Sequence, residues 1–317
     1  MNGCHFVTLA RPDCHIYGKA MSRNHSLMPF VAAALGIALF SVMDALMKGA
    51  AIAVGAYSAM LVRSVFGVMI MLPLWLWRGG AWPDGDALKL HALRGAISAG
   101  MATTFFWALV RMPLAEGIAI SFIAPLIALY LAAVLLREQV AGRAIAGSLL
   151  GLAGVAVIGA ARLGGEAMGQ DAVWGIAAML LSAVLYAINL ILQRKQAQIA
   201  SPSEVALFQM GFSGLFLALL APWLLTLPDL PVSGQIAASA VLAAVSLMLL
   251  SWGYGRAEAQ ALLPIEYTAF IWAAILGWLM FAEAVTLATL GGVVLIVLGC
   301  WIAARPNSAA HVEQTAL

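Results

Sequence analysis

Four ionisable side chains lie within long apolar stretches of the sequence, where a charge is costly: Asp44, Arg63, Glu116 and Glu266. A charged group in the middle of a bilayer costs roughly 2.5–3.5 kcal/mol on insertion scales, so such groups usually pair or have a function. Asp44 and Glu116 lie near the ends of their stretches, where each could extend to the membrane surface instead. Arg63 could extend in the same way or pair with one of these carboxylates.

Glu266 is the strongest candidate, because it follows Pro264 by two residues. Proline removes a backbone donor and can open a helix. A carboxylate beside a loosened turn can bind an ammonium group or carry a proton. Pro264, and Pro125 in the middle of another apolar stretch, are hinge candidates, with a passive bend as the alternative.

Aromatic and amide side chains can line a cavity for a zwitterionic or aromatic solute. Tyr186 and Asn189 are three positions apart and therefore share one helix face. Aromatic residues in membrane helices also pack or anchor the interface, which is the alternative for each of them. The candidates of this kind are Trp107, Tyr186, Asn189, Gln209, Trp252, Tyr267 and Trp272.

Motifs of catalysis and cofactor binding are missing from the sequence: it has no phosphate-binding glycine loop, no His-Glu-x-x-His and no nucleophile elbow. Three cysteines, Cys4, Cys14 and Cys300, cannot frame a disulfide scaffold, and their neighbouring histidines fit no zinc spacing. The formal net charge of +2 does not favour a nucleic-acid partner. We therefore predict no enzyme activity, no metal and no cofactor.

The elements that hold these residues are membrane helices. Of 317 residues, 64% are hydrophobic and 9% are charged, whereas soluble chains average about 25% charged. Unbroken apolar runs of about 20 residues favour helices over a barrel. The ten predicted spans are 29–47, 57–77, 92–110, 113–136, 144–161, 172–193, 205–227, 235–255, 259–282 and 284–304. The predicted fold is therefore all-α and polytopic.

The distribution of basic residues predicts that both termini are cytoplasmic. In that orientation twelve Lys and Arg residues, Arg94 among them, fall on the inner side, and only Lys48, Arg111 and Arg162 fall on the outer side. Residues 1–28 are predicted to form a disordered tail, in which Met21 is an alternative start, and residues 305–317 form a second cytoplasmic tail.

An internal repeat appears when the chain is shifted against itself by 145 positions. The matched pairs include Asp44 with Asn189, Trp107 with Trp252, Arg111 with Arg256, and Glu138 with Glu283. The halves are residues 29–161 and 172–304, each with five helices. Because five is odd, the second half must insert in the opposite orientation, which is typical of carriers that alternate access around a central site.

The repeat resembles a known family. The same three features occur in residues 111–154 and in their copy at 256–299. They are an internal proline, a glutamate after a long helix, and spaced glycines in the helix that follows. This pattern, with Arg63 in the second span, is similar to the drug/metabolite transporter superfamily, EamA type, and most like its YddG-type amino-acid exporters. The resemblance implies ten helices around a central cavity. One departure is that Pro125 matches Phe270 and not Pro264, so the halves are expected to bend differently.

The sequence thus predicts a secondary transporter that exports amino acids, including bulky neutral or aromatic ones, across a bacterial inner membrane. Asp44 or Glu266 would receive the substrate ammonium, and Asn189 would meet the carboxylate. The alternatives are efflux of nucleosides, drugs or other metabolites, and a membrane enzyme acting on lipid-linked substrates, which would need clustered polar groups at one interface. The expected state is a monomer or weak homodimer in the lipid bilayer.

The predicted topology can be tested with single cysteines at Ser308 and Gly164, after replacement of the native cysteines. A membrane-impermeant maleimide added to intact cells should label the cysteine at position 164, which is predicted to be outside, and leave position 308 unlabelled. Equal labelling of both positions would contradict the orientation.

Overall fold

The structure, a computed structural model, describes residues 27–136, 142–163, 170–197, 199–254 and 265–304. Within these ranges the chain is helical and forms no strand, which confirms the all-α prediction. The helices are α1 Met28–Trp77, α2 Gly85–Leu109, α3 Leu114–Ser121, α4 Ala124–Leu136, α5 Gly142–Leu163, α6 Gln170–Ala197, α7 Pro202–Ala218, α8 Ala221–Leu224, α9 Leu230–Tyr254, α10 Ala269–Phe281 and α11 Leu287–Ala304. Apart from residues 27 and 28, the predicted tails lie outside the described ranges.

Helix α1 contains the first two predicted spans. Its backbone leaves the helical region at Gly55, with φ 81° and ψ 149°, a conformation that glycine adopts without a Cβ penalty. The two arms lie side by side, since Arg63 in the second arm contacts Met43 in the first. Three described helices have the length and composition of a membrane span: Met28–Trp77, Asp171–Gln193 and Leu230–Leu250.

The fourth and ninth predicted spans are each broken near the middle. A turn at 122–123 separates α3 from α4, and a turn at 267–268 precedes α10. The two turns match under the shift of 145 positions, and so do their hydrogen bonds. The N–H of Ile123 donates to the Ile120 carbonyl at 3.1 Å, and the N–H of Thr268 donates to the Ile265 carbonyl at 3.0 Å. Both halves therefore break at the same place.

Because their prolines do not match, the two halves were expected to bend differently. The structure shows that both helices break at the same position, so this expectation is wrong for where the break lies. Pro125 has no N–H to continue the helix ladder. Its counterpart Phe270 has one and donates it to the Tyr267 carbonyl at 3.2 Å, three residues back. A tightened turn of the 3₁₀ type thus interrupts the second helix without a proline at the matching position. Pro264 lies outside the described residues, and the hinge roles of Pro125 and Pro264 stay predictions.

The packing of the helices follows the repeat. Helix α1 packs along α9 and α7, α2 packs along α6 and α7, and α5 packs along α11. The first arm of α1 and α6 occupy matching places in the two halves, as do α2 and α9. The α1–α9 and α2–α6 pairs are therefore equivalent, as inverted halves related by a pseudo-two-fold axis require.

Helices α5 and α11 cross closely at glycines. A Cβ added at Gly154 would lie 2.5 Å from the carbonyl oxygen of Gly292, and one added at Gly292 would lie 2.8 Å from the carbonyl oxygen of Gly154. One added at Gly299 would collide with the carbonyl oxygen of Gly147 and lie 2.8 Å from the backbone nitrogen of Gly151. Small residues let membrane helices approach in this way, and here they join the two halves.

This crossing predicts that Gly299→Ala destabilises the protein by about 1–3 kcal/mol, as overpacking does elsewhere. Gly291→Ala is the matched control in the same helix, since an added Cβ there meets nothing within 4 Å. Thermal unfolding in detergent should show a lower midpoint for Gly299→Ala and no decrease for Gly291→Ala. Equal midpoints would contradict the close crossing.

Candidate functional site

Asp44 and Arg63 face each other across the two arms of α1. The Asp44 carboxylate interacts electrostatically with the Arg63 guanidinium, whose Nη1 also donates to the sulfur of Met43 at 3.3 Å. Opposite charges that face each other lower the cost of keeping both in the membrane interior. Of the alternatives for Arg63, this interaction favours Asp44 as its partner.

Tyr186 connects this pair to charged groups on other elements. Its side chain interacts electrostatically with Glu266, Asp44 and Arg94, in that order of size. These three residues lie in the turn before α10, in α1 and in α2, whereas Tyr186 lies in the middle of α6. Tyr186 therefore interacts with two carboxylates and one guanidinium group, and one of those carboxylates, Asp44, also interacts with Arg63.

Tyr186 also borders an internal space. Its side chain is 38% exposed, although it faces charged groups from three other elements. The lipid-facing stripe of α6 runs through the exposed residues Val173, Leu181 and Val184. Tyr186 lies about 200° around the helix axis from Val184, at about 100° per residue. Its exposed surface therefore faces the interior of the bundle and not the lipid, and we infer that a cavity lies there.

The two helix breaks meet beside this cavity. The rings of Phe122 and Tyr267, which match under the repeat, pack edge to face with their centroids 5.2 Å apart. Tyr267 lies near the thiol of Cys300 and interacts electrostatically with Glu266. The Cys300 thiol lies 3.4 Å from the Phe122 carbonyl, to which it donates. Glu266 is thus next to the point where both broken helices meet.

Asn189 is held in the wall of the bundle. It is buried, and its Oδ1 accepts hydrogen bonds from Arg94 Nε at 3.0 Å and from Ser98 Oγ at 3.1 Å. Gln209 extends this contact by donating to Ser98 Oγ at 3.2 Å. The amide oxygen of Asn189 is therefore occupied, and its Nδ2 is the atom that could donate to a substrate carboxylate.

The repeat explains why the counterpart of Asn189 differs. Under the shift of 145 positions Asn189 matches Asp44, whereas Arg94 and Ser98 match Ser239 and Ala243. Alanine has no donor, and the Ser239 hydroxyl donates within its own helix at 2.7 Å. Asp44 therefore does not receive the guanidinium contact that holds Asn189, and its charge faces Arg63 and the cavity.

Arg94 was not among the predicted site residues, and it was counted only as one of the charges on the inner side. It lies in the third turn of α2, is 4% exposed, and its Nη1 also contacts Oε1 of Gln196. Gln196 in turn is 2.6 Å from His91 Nδ1, and His91 Nε2 is 3.1 Å from Glu204 Oε1. The sequence signal for this network is the spacing of His91, Arg94 and Ser98, which share one face of α2.

The remaining candidates lie away from the central group. Trp107 is in the last turn of α2, where the Arg111 guanidinium lies 3.4 Å from the centre of its ring. Trp252 is at the end of α9 and is 38% exposed. Glu116 is buried and accepts a hydrogen bond from Thr289 at 3.4 Å, so it does not extend to the interface. The two tryptophans match in the repeat and, as inversion requires, lie at opposite ends of the bundle.

Within the described residues, no group of three or more His, Cys, Asp and Glu side chains is placed to hold a metal ion. Cys4 and Cys14, with their neighbouring histidines, lie outside those residues.

The sequence model of the EamA-like transporter family matches residues 27–160 and 173–305, one match for each half. The pseudopaline exporter CntI of Pseudomonas aeruginosa (strain UCBPP-PA14) is 25% identical over 263 residues, covering 82% of this chain and 90% of that protein. An uncharacterized transporter of Helicobacter pylori (strain J99) is 24% identical over 276 residues, covering 84% and 91% of the two chains.

A solved crystal structure superposes with a TM-score of 0.61, covering 87% of this chain and 96% of its own, at 23% sequence identity. This likeness shows a shared fold. None of these relatives carries a description as an amino-acid exporter, so the likeness to the YddG type stays a prediction.

The cavity beside Tyr186 can be tested with cysteine chemistry. In permeabilised membranes, the cysteine of Tyr186→Cys should react with a small charged thiosulfonate, because water reaches the cavity. Val184→Cys is the matched control, since Val184 is 40% exposed and lies on the lipid face of the same helix. Labelling followed by mass spectrometry should favour position 186 by about tenfold or more. Equal reactivity of the two positions would contradict the cavity.

Proposed function

Since the chain belongs to the EamA-like transporter family, we propose that this membrane transporter exports amino acids, bulky neutral and aromatic ones included, from the cytoplasm by alternating access. The proposal extends to a bacterial inner membrane, with both termini cytoplasmic and the protein acting as a monomer or weak homodimer. The substrate would occupy the cavity beside Tyr186.

The observation that supports this proposal is that charged groups of both signs interact with Tyr186. A zwitterionic amino acid needs an anionic partner for its ammonium group and donors for its carboxylate. Asp44 and Glu266 supply carboxylates from two different elements, and both interact with the Tyr186 side chain. Nδ2 of Asn189 and the hydroxyl of Tyr186 are donors on one face of α6.

The aromatic groups at the helix breaks support the inclusion of bulky substrates. Phe122 and Tyr267 pack edge to face beside Glu266. Aromatic rings prefer such offset and edge contacts, and a substrate ring could make the same kind of contact. Helices broken near their middle are also typical of substrate sites in carriers with inverted repeats.

In this mechanism the protein forms no covalent bond with its substrate. The ammonium group binds at Asp44 or Glu266 while the cavity is open to the cytoplasm. Rocking of the two inverted halves then closes the inner end and opens the outer end around the same site. The differential affinity of the two states for the substrate sets how far binding shifts the equilibrium between them.

A second candidate is export of another metabolite, because a relative that covers most of this chain is described as a pseudopaline exporter. Nucleosides and drugs belong to the same alternative. A membrane enzyme that acts on lipid-linked substrates is the less favoured alternative, because the family match is to transporters.

Glu266→Gln tests the proposed site by keeping the shape of the side chain and removing its charge. Uptake of a labelled amino acid into proteoliposomes should fall at least about tenfold, equivalent to about 1.4 kcal/mol, while the amount of folded protein stays near wild type. A proton role would also remove the pH dependence of transport, whereas a binding role would mainly raise the half-saturating concentration.

Asp44→Asn is the matched control for Glu266→Gln, because the other half already carries the amide Asn189 at the equivalent place. If Glu266→Gln transports normally at every pH, the Glu266 carboxylate has no part in the mechanism.

A further inference from the structure

A buried ion pair closes the outer end of the bundle, the end that holds the last turns of α2 and α10. Lys48 in the first arm of α1 is 2% exposed, and its ammonium group pairs with Oε1 of Glu283. The same ammonium donates to the Met112 carbonyl at 2.8 Å and lies 4.9 Å from the centre of the Phe281 ring. Lys48 therefore joins α1 to the connections that follow α2 and α10.

Glu283 fastens the second half to the first. Its Oε2 accepts the backbone N–H of Leu114 at 2.7 Å, and Leu114 is the first residue of α3. Unpaired N–H groups at a helix start favour a carboxylate there. Glu283 thus caps a helix that belongs to the opposite half. Both of its oxygens bind the first half of the chain.

The backbone before Glu283 is strained. Ala282 ends α10 with φ 53°, in the left-handed region, which favours glycine and costs other residues about 1–3 kcal/mol. The turn is closed by the N–H of Glu283, which donates to the Gly277 carbonyl at 3.1 Å. Such strain persists only where surrounding contacts hold it. Here the contacts of Glu283 with Lys48 and Leu114 lie immediately after the strained residue.

The ion pair lies one helical turn from Asp44, towards the end of the bundle that we propose to be the outer one. Lys48 follows Asp44 by four residues, so it lies on the same face of α1 about 6 Å further out. Beyond it is an open cavity of about 350 Å³ lined by Lys48, Arg111, Glu283 and Phe281 among others. The Lys48–Glu283 contact thus separates the proposed substrate cavity from an outer vestibule.

We propose that the Lys48–Glu283 pair is the outer gate of the transporter, closed in this structure and broken when the cavity opens outward. Removing two charges from water costs nearly as much free energy as their mutual attraction returns. The buried ion pair and the separated, hydrated groups are therefore close in free energy. Water that enters from the vestibule can solvate both groups when the halves rock apart. The substrate then leaves between α1, α3 and α10.

This inference rests on the proposed transport function, because a gate has a role only in a transporter. Its test, however, needs no substrate. Tyr186→Cys in a background without native cysteines reports whether the cavity is open to the outside. In intact cells a membrane-impermeant thiosulfonate should label it slowly while the gate is closed. Glu283→Gln and Lys48→Gln should each raise that rate at least about tenfold, without a change in the rate of labelling in permeabilised membranes.

Asp171→Asn is the matched control, because Asp171 is an exposed carboxylate 3.9 Å from Arg111 and its loss should leave the labelling rate unchanged. If Glu283→Gln fails to accumulate, Glu283→Asp keeps the charge but shortens the side chain, so it cannot reach both Lys48 and Leu114, and it should also speed labelling. Folded variants that label at the wild-type rate would overturn the gate and leave only a structural ion pair. If these variants lose transport but are not labelled faster, the result concerns the proposed transport function and does not support the gate.

Discussion

The structure depends on one constraint: a charged group inside a membrane bundle must find a partner from another helix or face a wet cavity. Lys48 and Arg94 satisfy it by binding across the two halves, to Glu283 at one end and to Asn189 and Gln196 at the other. Asp44 and Glu266 lie between these two contacts. Both carboxylates interact electrostatically with Tyr186, the residue beside which we propose the substrate binds.

The two ends of the bundle are held by different contacts, although the halves are repeats. At the end that we propose to be the outer one, a direct ion pair joins the halves and also caps α3. At the other end the contacts run through two amides, with His91 and Glu204 at the edge of the network. An ion pair is either formed or broken, whereas several bonds must break to separate an amide network. This difference is why we place the proposed gate at the end that holds the ion pair.

The architecture was largely predictable from the sequence. Hydrophobic runs locate the spans, and the 145-residue shift finds the matched glycines at which α5 and α11 cross. The same shift matches Phe122 with Tyr267, which meet in the structure. The prolines alone were misleading about where the second half breaks. A turn of the 3₁₀ type breaks its helix at the matching position, although the residue there is not a proline.

The partners of the charged residues were not predictable. Arg94 lies at the start of an apolar run, so it was counted only as a charge on the inner side, but it binds Asn189, which is 95 positions away in the sequence. Lys48 and Glu283 are separated by 235 positions. Each residue alone is consistent with an interface position, and only the folded arrangement of the helices brings the partners together.

Counterflow in proteoliposomes tests the central claim most directly, that one central cavity accepts amino acids and opens alternately to the two sides. Vesicles preloaded with an unlabelled neutral or aromatic amino acid should accumulate the same labelled amino acid transiently, and vesicles without the protein should not. Nucleosides and dyes should give no accumulation. Counterflow with nucleosides or dyes, and none with any amino acid, would contradict the account.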